Sequence, residues 1–239
     1  MKHEKFHYKS LEEVRERETE LGVEFPLSEN IAILKEPFTL AGHCVANRIA
    51  IQPMEGSDST ADGRPGEYTK KRYERFAKSG AGLIWLEAVA IAQEGRATPG
   101  QLYITPETLD SFKALVEEIR ETAWKEHHNQ PVIIMQATHS GRYSKPHGYP
   151  EPIIAYNNPL FEKDSPIPQE NIITDERLQE LEEQYALVTR MAQEAGFDGI
   201  DIKCCHRYLN CELLSAYTRP GMYGGSFENR TRFFRNAFA

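Results

Sequence analysis

Beyond residue 45 the chain alternates between short, unbroken apolar runs and longer stretches in which apolar residues recur every three or four positions. Runs of the first kind predict strands buried on both faces; the second spacing predicts helices with one buried face. The first run, residues 49–54, ends in a Gly/Ser/Asp-rich loop over residues 56–66. A helix is predicted over residues 67–78, closed by Ser79 and Gly80, and a second strand over residues 82–89. Asp110 and Ser111 start the next helix, with Phe112, Leu115, Val116, Ile119 and Ala123 on its buried face. A third strand, residues 132–136, follows Pro131. Residues 138–171 are rich in Pro, Tyr, His and Asn and show no period, and so long a loop in a compact domain is functional or disordered. Thr174 is a good N-cap for a third helix, with Asp175 and Glu176 at the positive end of its dipole. Leu178, Leu181, Tyr185, Val188, Ala192 and Ala195 line its apolar face, and Gly196 ends it. The fourth strand covers residues 199–203, and a further helix begins near Glu228 and is cut off at Ala239.

Upstream, residues 10–21 suit a helix whose apolar positions are sparse (Leu11, Val14, Leu21), with Glu and Arg filling the rest. Residues 1–36 therefore form a charged N-terminal extension, and residues 37–239 carry the fold. Strands alternating with helices at this spacing mean βαβ units and a parallel sheet. An open dinucleotide-binding sheet would carry GxGxxG directly after its first strand; the turn here reads Pro53-Met54-Glu55-Gly56-Ser57, so a barrel is favoured. A full (β/α)8 barrel needs about 250 residues or more. The expected fold class is α/β, a parallel TIM-type barrel truncated to about its first four β/α units.

Composition narrows the partners. A formal net charge of −8, with no basic stripe, argues against nucleic acid. No apolar run approaches the roughly 20 residues of a membrane span, and Met1-Lys2-His3-Glu4-Lys5 lacks the apolar core of a signal peptide. Cys44, Cys204, Cys205 and Cys211 form no CxxC pair, which suits inert packing in a reduced, cytoplasmic protein without a disulfide frame or zinc site.

Barrel active sites lie at the C-terminal ends of the strands. Those ends read Pro53-Met54-Glu55, Glu87-Ala88, Gln136 with His139-Ser140-Gly141-Arg142, and Lys203-Cys204-Cys205-His206-Arg207-Tyr208. Alternation on the fourth strand turns Ile200 and Ile202 toward the helices and Asp201 and Lys203 toward the barrel axis. A buried Lys or Asp needs a partner, so an Asp201–Lys203 pair is expected, structural or catalytic.

Four stretches, in this order, resemble the Old Yellow Enzyme family of NAD(P)H:flavin oxidoreductases: Asn47-Arg48-Ile49 through Pro53-Met54; Gln136 with His139-Ser140-Gly141-Arg142; Gly196-Phe197-Asp198-Gly199-Ile200-Asp201-Ile202 with Tyr208-Leu209; and Tyr223-Gly224-Gly225-Ser226-Phe227-Glu228-Asn229-Arg230. The resemblance covers residues 46–233 and implies the N-terminal half of an FMN-binding barrel. It implies a ping-pong reaction in which NAD(P)H reduces the flavin and a hydride then passes to an activated alkene, nitro compound or similar acceptor. It places Pro53, Met54 and Glu55, the Ala88 region, Gln136 and Arg230 against the isoalloxazine. Gln can both donate and accept at the pyrimidine edge, and Arg would meet the charge of the reduced ring. Lys203 and His206 fall where the family anchors the acceptor's oxygen, and Tyr208 matches its proton donor.

Two positions depart from the family. Its first anchor is usually His, here Lys203, which differs in charge and reach. The residue after Met54 is usually small and polar or a thiol, here Glu55, which would lower the flavin's reduction potential or turn away to pair with an Arg. Blander readings stand beside these: Gln136 as a polar strand cap, Lys203 as the neutraliser of Asp201, Gly224-Gly225 as chain geometry, and His3, His7, His127 and His128 as surface residues. Two other functions remain: a non-catalytic half barrel serving as an assembly module, and an aldolase-like barrel with Lys203 as a Schiff-base lysine. The expected partners are a small-molecule acceptor such as an enone, and either a second copy of the chain or a completing C-terminal half.

Overall fold

A computed structural model describes residues 5–239; the chain start read above, Met1–Glu4 with His3, lies outside the described residues. Helix α1 (Leu11–Leu21) begins where the pattern places it, with the Ser10 hydroxyl accepting from Glu13 N at 3.2 Å, and buries no residue. A hairpin that the pattern did not announce follows, β1 (Phe38–Leu40) paired antiparallel with β2 (His43–Val45). Its strands are three residues each, too short for alternation to register. Val45 is buried completely. Asn47 then ties the chain to the next layer: its Nδ2 donates to Gly80 O at 2.8 Å and its Oδ1 accepts from Gly82 N at 2.9 Å.

The main layer is built from β3 (Ala50–Ile51), α2 (Glu67–Lys78), β4 (Leu83–Ala90), α3 (Leu109–His127), β5 (Val132–Thr138), α4 (Asp175–Glu194) and β6 (Gly199–Ile202). Among the described residues the four strands form one parallel sheet in sequence order, β3-β4-β5-β6. Doubly wound sheets reverse strand order at a switch point; this one does not. It is also not closed: β3 and β6 each keep a free edge. The β3 strand is shorter than the predicted run over residues 49–54, because Pro53 has no N–H for a ladder and Met54 N turns back to Gln52 O at 3.0 Å.

The register sorts the side chains into two faces. Ile84 pairs with Ile133, Leu86 with Met135, and Met135 with Ile200; this set packs under the helices, against Phe112, Leu115, Ile119, Leu181, Tyr185 and Val188, these six at most 1% exposed. The predicted apolar faces of α3 and α4 are thus the buried ones. Leu83, Trp85 and Ile134 point the other way and line, with Ile202, Phe234 and Phe238, a cavity of 1120 Å³ along the open edge of β6. Helices α3 and α4 therefore cover one face of the sheet, while Phe234 and Phe238 from the C-terminal region stand at the cavity on the other. The C-terminal region adds α5 (Leu209–Leu214), α6 (Phe227–Arg230) and α7 (Arg232–Phe238), the last two replacing the single helix expected from Glu228. Phe233 of α7 docks edge-on against Tyr185 of α4, ring centroids 5.9 Å apart. Among the described residues no helix is long and apolar enough to cross a membrane.

Candidate active site

The strand register that forms the core also assembles a polar row at the C-terminal end of the sheet. Ala88 pairs with Gln136, and Gln136 with Asp201. Side chains in register on neighbouring strands share a face, so the Gln136 Nε2 donates to Asp201 Oδ2 at 2.7 Å. Ala88 is completely covered, and its carbonyl accepts from Gln101 Nε2 at 3.1 Å.

Lys203, one residue beyond β6, is held by its own N–H on Ala137 O at 3.0 Å. Its partner is not Asp201, as the alternation suggested, but Glu55: Lys203 Nζ lies 3.0 Å from Glu55 Oε1, with the two side chains 5% and 21% exposed. Asp201 is satisfied by Gln136 instead. The same pairing overturns the alternative that Glu55 turns toward an Arg. The loop after β3 and the end of β6 thus meet at the C-terminal end of the sheet, and the charge of Glu55 is balanced on the spot.

His206 and Arg207 both adopt left-handed backbone, φ 59° and 57°. Consecutive non-glycine residues in that region carry strain that the surroundings must hold. The turn they make brings Tyr208 back over the site, with the Lys203 ammonium 4.7 Å above its ring and the His206 ring 6.1 Å away. Leu209 N donates to His139 O at 3.3 Å, an approach that requires residue 141 to be glycine: a Cβ there would lie 2.7 Å from Leu209 N. Burial, with the nearby Glu55 charge, pushes the Tyr208 phenol up to about 12, so it stays protonated. Burial likewise pushes the Cys204 thiol up to about 12, which leaves it unreactive.

Two supporting networks were not assigned by the sequence. At the bulge between Leu86 and Ala88, the Glu87 carboxylate, 2% exposed, accepts from Gly56 N and from Arg72 Nη2, both at 2.7 Å. Arg72 in turn forks Asp58, at 2.6 and 2.9 Å. A lone carboxylate inside an otherwise apolar strand was the available signal. In the long loop, Arg142 bridges Glu162, at 2.5 Å, and Glu212, all three at most 10% exposed.

Arg230 sits in different company from the Glu55, Gln136 and Lys203 cluster. Its guanidinium donates to Leu214 O at 2.6 Å and Gly225 O at 3.1 Å and stacks 3.8 Å from the Tyr217 ring centroid. It clamps the loop between α5 and α6. Pro53 is half-buried and Met54 exposed at the same rim as Glu55.

His139 is 3% exposed, with Nδ1 accepting from Gly141 N at 3.1 Å. Burial lowers it to about 4 from 6.5, against the field of Glu94, which favours the charged ring. The unfolded chain binds this proton near 6.5 and the folded chain only near 4. Stability is therefore complete above 6.5 and falls with pH through that window, by up to about 3 kcal/mol. Urea unfolding at several pH values should show the loss, and His139→Asn, which keeps an acceptor for Gly141, should flatten it. An unchanged slope in that variant would exclude His139 as the source.

Comparison with known proteins places the chain in a family. Residues 34–238 match the family model described as the NADH:flavin oxidoreductase / NADH oxidase family. An NADPH dehydrogenase of Geobacillus sp. (strain WCH70) is 35% identical over 205 residues, covering 84% of this chain and 57% of the relative. The NADPH dehydrogenase of Bacillus subtilis (strain 168) is 34% identical over 203 residues, covering 83% and 56%. A structure of morphinone reductase in complex with tetrahydroNAD superposes with a TM-score of 0.70 at 25% identity, over 85% of this chain and 58% of that one. The chain thus spans little more than half the length of the curated relatives it matches. With its matched region running through β3 to α7 and across the polar row, the chain belongs to the NADH:flavin oxidoreductase / NADH oxidase family.

Proposed function

We propose that this chain provides the acceptor side of an FMN-dependent NAD(P)H oxidoreductase of the ene-reductase kind. The observation that carries the reading is the convergence of Gln136, Lys203 with Glu55, and Tyr208 at one mouth of the sheet. The donor set suits a flavin head. Gln136 commits its Nε2 to Asp201, so its Oε1 is the atom offered to a ring N–H, and the Pro53–Met54 backbone borders the same mouth. Arg230, engaged by two carbonyls, would contribute to loop geometry and reach the ring only by leaving them.

Bound there, FMN would supply the hydride, taken from NAD(P)H and passed to an activated alkene. Lys203 and His206 would hold the acceptor's carbonyl oxygen and stabilise the charge that grows on it. Tyr208, protonated at every working pH, would deliver the proton to carbon. The test is a visible spectrum of the purified chain after soaking with FMN and desalting. Retained flavin that NADPH bleaches and an enone restores is the expected result; a colourless chain would overturn the reading for this chain by itself.

A second reading, a half barrel that needs a second chain, is favoured by the apolar cavity beside the free edge of β6. A colourless chain that sediments as a dimer, or that takes up FMN only with a C-terminal half, would support it.

A further inference from the structure

The Glu55–Lys203 pair bears on which acceptors the site admits. Lys203 is the cation at the polar row: the Arg207 guanidinium lies 3.6 Å from the Phe161 ring centroid, and Arg230 is bound to carbonyls in the α5–α6 loop. Glu55 neutralises that cation from within the chain. On the same face Asp201 brings a second carboxylate, two residues before Lys203 and satisfied by a neutral amide. The charges closest to the anchor therefore sum to negative, even though the anchor is a lysine.

The backbone next to Glu55 is anchored. The next residue's N–H is locked 2.7 Å from Glu87 Oε2, and Glu87 is held by Arg72, itself forked on Asp58. A Cβ at residue 56 would sit 2.1 Å from the Arg72 guanidinium, so a larger residue there would push Arg72 off Glu87 and Asp58. The main chain that carries Glu55 is thereby tied to a network that reaches back into α2 and β4, and its carboxylate meets the ammonium from there.

Resting on the function proposed above, we propose that Glu55 is a specificity-determining residue that reserves the Lys203 anchor for acceptors with an uncharged oxygen, such as ketones, esters and amides, and turns away carboxylates. An ammonium carries three N–H donors. One is given to Glu55, and an uncharged carbonyl oxygen can take another without disturbing the pair. A carboxylate at the same spot would face Glu55 as a like charge in a partly dry site, an arrangement that costs heavily in recognition. A primary amide fits best of all, because its oxygen meets Lys203 while its NH2 can donate to Glu55.

The test uses two ligands of one shape and different charge, cinnamamide and cinnamate, titrated by calorimetry into the FMN-loaded chain. Cinnamamide is expected to bind at least tenfold more tightly than cinnamate. Glu55→Gln is expected to shrink that ratio at least tenfold, chiefly by strengthening cinnamate. The inference is overturned if cinnamate binds the unaltered chain as well as cinnamamide, a result that needs no variant to fold. It is equally overturned if a folded Glu55→Gln chain keeps the original ratio. Binding of neither ligand by a flavin-retaining chain would remove the acceptor site itself, and with it both readings; loss of charge discrimination alone removes only this one.

Discussion

Tyr208→Phe is expected to slow reduction of an enone by the FMN-loaded chain by about 10²- to 10⁴-fold, the usual contribution of one positioned proton donor. Reduction of the bound flavin by NADPH should stay within about twofold of the parent, since it needs no proton on carbon. The structural reason is the placement of the phenol. The left-handed turn at His206 and Arg207 brings Tyr208 over the Lys203 ammonium, and Leu209 N on His139 O pins the turn to the end of β5. Burial raises the phenol to about 12, so the donor form persists throughout the neutral range. The enone rate of the parent should accordingly show no fall from loss of this proton until the pH nears 12. Stopped-flow measurement of the two half-reactions separates the effects. Equal losses in both would mean that the hydroxyl serves packing and not proton delivery.

Arg142→Ala is expected to cost about 3–5 kcal/mol of stability, the usual penalty for removing one partner of a buried ion pair. Arg142 joins the long loop between β5 and α4 to helix α5 through Glu162 and Glu212, whose side chains are 6% and 7% exposed. Both carboxylates also serve the loop backbone: Glu212 Oε2 accepts from Ala155 N at 3.0 Å and Glu162 Oε2 from Asn158 N at 2.6 Å. Without the guanidinium, two buried carboxylates are left facing each other, and burial already holds Glu212 above the usual carboxylate range. Urea unfolding should show the loss in its midpoint, and adding Glu162→Gln and Glu212→Gln should recover part of it. A loss below about 1 kcal/mol would mean that water replaces the arginine at little cost. Because α5 follows directly on Tyr208, loosening this bridge should also weaken the placement of the phenol.

The sequence by itself determined the alternation of strands and helices, several boundaries and most of the core. Residues 67–78 form a helix as read, Thr174 caps α4, and Phe112, Leu115, Leu181 and Tyr185 are buried because apolar spacing encodes which face of an element meets the sheet. The motif positions at the strand ends were legible too, because a polar residue closing an apolar run is a local signal. The three-residue strands of the β1–β2 hairpin were not, being shorter than any period, and neither was the break between α6 and α7 at Thr231.

Tertiary structure alone decided who pairs with whom. Asp201 and Lys203 stand two residues apart, and the sequence suggested that they neutralise each other; the fold gives Asp201 to Gln136, 65 positions away, and Lys203 to Glu55, 148 positions away. Glu87 and Arg72, and Arg142 with its two glutamates, were equally invisible as networks. The physical reason is that backbone periodicity is set by neighbours within a turn or a pleat, whereas a buried charge takes whichever counter-ion the packed strands bring within reach. The elements were written locally; the charge balance of the site was settled only when β3, β4, β5 and β6 assembled into one sheet.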